Sequence, residues 1–398
     1  MKILVVCQYY YPEPFRITDI CESLVLKGHS VTVLTGLPNY PEGIIQNRYR
    51  LFKNRNEIIN GVTVKRCFLI GRGKSKLSLF LNYLSFAISC SIKSLFISKD
   101  FDVIYANQLS PITMVFPAIV MKRRTKRRLF LYCLDLWPDS LRMGGLSESS
   151  LIYRVFNKIS KYIYSNSDLI SVTSHSFIDY LAKNHVIDNE KIDYIPQYAE
   201  DLFTSQVDKV SVQGRNFVFA GNIGEAQSVE TIIKAANILK EKSDIFFHIV
   251  GEGSKLRDIR KMAEDYSLTN VSFYGRRPLN EMTYFYGIAD AMLVTLKSDD
   301  FLSLTLPGKI QTYMAASKPI IGAINGETDY VIRQSNCGYC GPAEDYEELA
   351  KNIGFFCCNA DVENFGRNSK KYYKNNFEKS KILNQIEMNL LRMVNGNV

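Results

Sequence analysis

One pattern, written twice along the chain, restricts the fold more than any other feature. A short apolar run, "KILVVC" at residues 2–7, is followed by a helical pattern from Ile17 to Leu26 that closes at Lys27-Gly28, and then by the strand-like "SVTVLTG". Further apolar runs stand at Val62 to Phe68, Asp102 to Ala106, Leu129 to Cys133, Leu169 to Thr173 and Ile192 to Ile195. Runs buried along their whole length and separated by helices form parallel sheets covered on both faces. Around Ile195 to Val212 the pattern lapses into a polar, aperiodic stretch. It then restarts with "NFVFAG", "IFFHIVG", "VSFYG", "AMLVTL" and "PIIGAI", again with helices between. The expectation is an α/β chain of two doubly wound, Rossmann-like parallel-sheet domains facing a cleft. Residues 1–200 form the first and 201–363 the second, and helices over 364–398 pack at least partly on the first. At 398 residues and 46% apolar composition, the chain can support two cores.

Charge divides the halves. Residues 1–200 hold 26 Lys and Arg against 16 Asp and Glu, so all of the net +9 lies in the N-terminal half. The densest run, "KRRTKRR" from Lys122 to Arg128, suits an anionic membrane surface, where each basic residue contributes roughly 1 kcal/mol. No recognition helix or zinc-finger spacing accompanies the charge, so nucleic acid is not an expected partner. The segment Leu77 to Ile97 carries Asn82, five serines and Lys93, and reads as a buried or surface-lying amphipathic helix rather than a span. Nine scattered cysteines without matched zinc spacing, and no cleavable leader, point to a reducing cytosol. The Asp100-Phe-Asp102 triplet precedes its strand instead of following it, so no catalytic metal and no cofactor is expected.

In sheets of this kind, ligands sit at the carboxyl ends of strands, where helix N-termini offer amides and a positive dipole end. Several loops qualify in the second half. Gly221-Asn222-Ile223-Gly224 and Gln227 follow one strand, and Gly251 follows the next in "IVGEGSKL". Arg276 and Arg277 follow a third. Leu306-Pro307-Gly308-Lys309 opens a helix without any nearby carboxylate, with Thr312 one turn on and Glu327 beyond the next strand. A diphosphate fits such a set, the glycines admitting backbone approach and Lys309 supplying charge. In the first half, Glu13 and Arg16 lie in the first strand-to-helix loop. Asp135 ends a later strand in "LYCLDLWPDSL", beside Trp137.

Together these segments, with "PEPFRITDICESLVLKGHSVTVLTGLPNYPEG", "HIVGEGSKL", "NVSFYGRRPLNEM" and "LPGKIQTYMAASKPIIGAINGE", resemble the retaining, two-domain family 4 glycosyltransferases over nearly the whole chain. The branch of fucosamine transferases in bacterial O-antigen and capsule assembly is the most similar. The resemblance implies a GT-B fold with the C-terminal helix crossing back to the first domain. It also implies a nucleotide-diphosphate-sugar donor, UDP-linked, held by the second domain. A lipid-linked saccharide acceptor would be held by the first, with retention and no required metal, at the cytoplasmic face of the membrane. Lys309, Arg276, Arg277 and the backbone at 222–224 and 306–309 would neutralise the diphosphate, and Thr312 and Glu327 would contact phosphate or sugar. Glu13, Arg16 and Asp135 would orient the acceptor or move its proton. The chain departs from the family at Leu304 and Thr312, where two glutamates are usual, and at Leu134, where a histidine is frequent. Two other activities share the architecture: a UDP-sugar epimerase, and non-catalytic binding of nucleotide sugars or lipid-linked sugars.

Overall fold

A computed structural model describes residues 1–51, 53–73, 75–205, 207–359 and 361–396. Two compact units emerge: Met1–Ile195 with Leu383–Val398, and Pro196–Ile382.

The first unit is built on an eight-stranded sheet of β1 (Lys2–Val6), β2 (Ser30–Thr35), β3 (Asn56–Ile59), β4 (Val62–Arg66), β5 (Val103–Gln108), β6 (Leu129–Cys133), β7 (Leu169–Val172) and β8 (Ile192–Tyr194). Its order is β3-β4-β2-β1-β5-β6-β7-β8. All neighbours are parallel except the β3–β4 hairpin at the edge, which periodicity did not predict. Every side chain of β5 and β6 is buried, which explains their unbroken apolar runs. The helix Ile17–Leu26 buries Ile17, Ile20, Cys21 and Leu24, one face at helical spacing, and stops where Gly28 takes a left-handed φ of +85°. Strand order reverses between β1 and β5, so the loops after these strands diverge and open a crevice at their carboxyl ends.

The second unit carries β9 (Arg215–Ala220), β10 (Ile245–Val250), β11 (Val271–Gly275), β12 (Ala291–Thr295), β13 (Ile320–Ala323) and β14 (Gly338–Gly341). These form one parallel sheet in the order β11-β10-β9-β12-β13-β14. The core on one face packs Phe217, Phe219, Phe247 and Ile249 from the strands against Ile232, Ile233, Leu349, Ile353 and Phe356 from helices. Here the reversal lies between β9 and β12.

The tail is two helices, Val362–Asn376 and Lys379–Val394. The first is tied to the second unit, since Ser369 Oγ donates to Lys318 O (2.7 Å) and Lys370 Nζ to Thr204 O (2.7 Å). From Leu383 the chain belongs to the first unit. There Ile386, Leu390 and Met393 are buried and Asn389 Nδ2 donates to Asp193 Oδ2 (2.7 Å). The contact boundary therefore falls after Ile195 rather than residue 200, and within the tail it is Leu383–Val398 that belongs to the first unit.

Candidate functional site

At the β9–β12 reversal, the helix Gly308–Ala315 starts from Pro307, whose extended backbone turns the chain into the first helical residues. Lys309 reaches back over the sheet, its Nζ 4.0 Å from the centre of the Phe219 ring on β9. That nitrogen is shielded from solvent and has no hydrogen-bond partner among the described residues. Burial alone pulls its pKa down to about 7. Tyr313, one turn later, donates from its hydroxyl to Ala220 O (3.0 Å) and accepts from Ala220 N (3.2 Å), fastening the helix to the end of β9. Sequence reading missed Tyr313; the signal available was an aromatic hydroxyl four positions after Lys309.

Glycine makes the loops at this edge possible. A side chain on Gly221 would bring its Cβ to 2.8 Å from Lys309 Nζ, and one on Gly251 would lie 1.8 Å from Gly221 O. Both have φ near +150° (+149° and +148°), where a side chain is strained in any case. The two loops are laced together by Gly221 N to Val250 O (2.9 Å) and Ile223 N to Glu252 O (2.8 Å).

Several groups of the expected phosphate cradle have partners within the protein. The Ile223 amide is consumed by Glu252 and its side chain is fully buried, while Gly224 N donates to Gln227 Oε1 (3.3 Å). Gln227 also accepts from Asn222 Nδ2 (3.2 Å) and so shapes the loop. Arg277 is engaged by its own turn, donating to Tyr274 O (3.1 Å) and pairing with Glu281 (3.5 Å). Arg276 is exposed after β11, at the far edge of the sheet. Leu306 is buried. Thr312 donates to Glu200 Oε2 (3.1 Å) and to Gly308 O (3.2 Å), so a carboxylate distant in sequence stands at this position after all. Glu327 is buried at the first position of the helix Glu327–Ser335, where the dipole favours its charge.

In the first unit, Glu13 is 4% exposed. Its carboxylate accepts from Asn39 N (2.9 Å), Tyr40 N (2.7 Å) and Tyr10 N (3.3 Å). Burial raises its pKa to about 7 against the pull of those amides. Asn39 continues the network, its Oδ1 accepting from Asn82 Nδ2 (3.2 Å), while Gln8 Nε2 donates to Asn82 Oδ1 (2.8 Å). Asp135 is enclosed by its own loop and by Ser110: Oδ2 accepts from Ser110 Oγ and Trp137 Nε1 (3.2 Å), Oδ1 from Ser140 Oγ. Burial pushes its pKa up, and these donors oppose the shift. Both carboxylates are therefore committed to holding loops at the carboxyl ends of β1, β2 and β6. They hold the wall of this edge, and the roles expected for them toward an acceptor would have to be played from within these contacts. Arg16 flanks the helix start and lies near the buried Tyr132 hydroxyl.

The first half of the basic run is engaged within the protein. Lys122 pairs with Asp168 (2.6 Å), Arg123 donates to Tyr162 Oη (2.6 Å) and Arg124 to Ile97 O (3.1 Å). All nine cysteines are free, and among the described residues no three His, Cys, Asp or Glu side chains converge as a metal site.

Two successive doubly wound domains with these sheet orders have the architecture of the GT-B fold. Residues 15–197 match the glycosyl transferase 4-like domain and residues 205–372 the glycosyl transferases group 1 domain. The chain is a glycosyltransferase built from these two domains. It is 27% identical to a probable glycosyltransferase, WbjE, of Pseudomonas aeruginosa, over 66% of this chain and 68% of the relative. It is 25% identical to the putative colanic acid biosynthesis glycosyl transferase WcaI of Escherichia coli K12, over 79% of this chain and 81% of that one. The solved structure of Anabaena HepE in complex with UDP superposes with a TM-score of 0.72 at 14% identity, covering 98% of this chain and 99% of that one.

Proposed function

We propose that this glycosyltransferase moves a sugar, of the N-acetyl-fucosamine type, from a UDP-linked donor to a polyprenyl-diphosphate-linked saccharide in O-antigen or capsule assembly. Transfer retains anomeric configuration and uses no metal. The work is done at the cytoplasmic face of the membrane, with the basic first unit toward anionic lipid. One observation carries the reading: the Lys309 ammonium is withdrawn from solvent without a counter-charge among the described residues, at the strand ends where the sheet order reverses. A buried cation is costly unless paired, and a donor diphosphate supplies the pair. The relative named for colanic acid biosynthesis and the UDP bound by a structural neighbour agree with a nucleotide-sugar donor and a polysaccharide product.

In this reading the bond from the anomeric carbon to the diphosphate breaks as the acceptor oxygen bonds on the same face. The acceptor proton passes to the leaving phosphate oxygen, and Lys309 neutralises the charge that develops there. Asn222, Gly308 and Arg276 complete the anion contacts, while Thr312, Glu327 and the loop of Gly221 and Gly251 bound the nucleotide and sugar. The test is transfer from UDP-N-acetyl-aminosugars to lipid-linked saccharide, followed by product anomer analysis. Lys309→Ala should lower transfer by about 10- to 1000-fold. Turnover like that of the wild type in this variant removes the proposal.

A further inference from the structure

The helix Lys76–Ser94 is apolar on its exposed face as well as on part of its buried one. It starts at a capping box in which Ser75 Oγ accepts from Ser78 N (3.1 Å) and Ser78 Oγ from Ser75 N (3.1 Å). Its buried face holds Asn82, Phe86, Ala87, Cys90 and Ser94, with Asn82 bonded to Gln8 and Asn39. Its opposite face holds Leu77, Phe80, Leu81, Leu84, Ile88 and Ile92, and Leu95 and Phe96 continue that side; these eight side chains are 37–81% exposed. The spacing by three and four places them on one stripe. Phe68 (54%) and Ile70 (41%) widen it, because Ser89 Oγ donates to Phe68 O and Ile70 N to Ser85 Oγ (2.9 Å). Soluble monomers seldom leave an apolar patch of this extent uncovered.

Charge selects the occupant. From Phe68 to Lys99 the sequence has five Lys and Arg and no Asp or Glu. Arg124, anchored to Ile97 O, brings the end of the basic run to the same helix, with Lys126 and Arg127 exposed beyond it. A second copy of this chain would set two cationic surfaces face to face, whereas an anionic bilayer offers apolar depth and opposite charge together. Among the described residues no helix is long and apolar enough to cross a membrane, so this helix would lie in the interface plane. We infer that the exposed stripe of the helix Lys76–Ser94 is the surface by which this protein enters an anionic lipid interface, the basic residues at its rim steering and holding it there. The inference rests on the membrane reading above but assigns the attachment to the stripe and not to the Lys122–Arg128 run.

The experiment is co-sedimentation of the full chain with phosphatidylglycerol-containing and with pure phosphatidylcholine vesicles. It compares wild type with the triple variant Leu84→Asp/Ile88→Asp/Ile92→Asp and with Lys126→Gln/Arg127→Gln. Circular dichroism and thermal melting verify that the outward-facing substitutions leave the fold intact. The stripe variant should lose at least about tenfold in partitioning to the anionic vesicles, and what remains should vanish in high salt. The basic-pair variant should lose less and keep a salt-resistant part. If wild type binds and the stripe variant binds equally, the inference fails while the membrane reading stands. If wild type binds neither vesicle, both fail. A wild-type dimer that the stripe variant abolishes, with vesicle binding unchanged, assigns the patch to self-association and also overturns the inference.

Discussion

Lys309 keeps its amine at the edge of neutrality because burial removes solvation and, among the described residues, no carboxylate pairs with it. With a folded pKa of about 7 below the ordinary 10.5, the residue favours the folded state fully only above 10.5, and that contribution is lost as pH falls through about 7. A bound diphosphate reverses the shift. At pH 8, binding of UDP should therefore take up close to one proton, read by calorimetry in buffers of different ionisation heat, and Lys309→Met should take up none. Glu13 is displaced in the other sense, with a folded pKa of about 7 above its usual 4.5. Its stabilising contribution is complete below 4.5 and lost as pH rises through about 7, up to about 3 kcal/mol in all. Glu13→Gln should flatten that fall, as measured by urea unfolding from pH 5 to pH 8. Sequence marked both residues as site candidates. It could not separate the free cation from the spent carboxylate, because the amides that fill Glu13 come from Asn39 and Tyr40 on another strand's loop.

Strand ends and helix starts carry the next level of order. The helix Gly308–Ala315 is aimed by the Tyr313 hydroxyl, which serves both peptide groups of Ala220. Tyr313→Phe leaves a buried N–H and C=O without this partner and should cost about 1–3 kcal/mol. It should also raise the KM for donor more than it alters folding cooperativity, which steady-state kinetics beside thermal melts will separate. Gly251→Ala drives a Cβ into the Gly221 carbonyl, so the two loops must part. Weaker UDP binding and a lower melting temperature should follow together. The strands themselves were legible because their apolar runs are buried on both faces. The hairpin strand β3 was not, since as an edge its pattern alternates between exposed and half-buried positions. The helix Lys76–Ser94 was legible as amphipathic, yet which side faced the core was hidden. Its buried polar network forms only when Gln8 and Asn39 arrive from elsewhere in the chain.

Across the whole molecule, the first unit is closed by residues that lie far from the rest of it in sequence. Lys27 and His29 both pair with Glu387, at 2.6 and 2.8 Å, and Asn389 holds Asp193. Deleting residues 383–398 should uncover Ile386's and Leu390's partners on the first unit and unfold it at lower denaturant than the second, giving two separated transitions in place of the full chain's profile. The sequence by itself determined that there are two doubly wound domains, where most of their parallel strands lie, and which glycine-bearing strand ends stand near Lys309 in the second. These are local matters of period, turn chemistry and burial. Only the tertiary structure decided that Lys309 is unpaired, that Glu13 and Asp135 are occupied, that Glu200 stands at Thr312 and that an apolar helix face is left outside. Each of these depends on which distant segment comes to rest against a side chain, and long-range packing leaves no periodic trace in the chain.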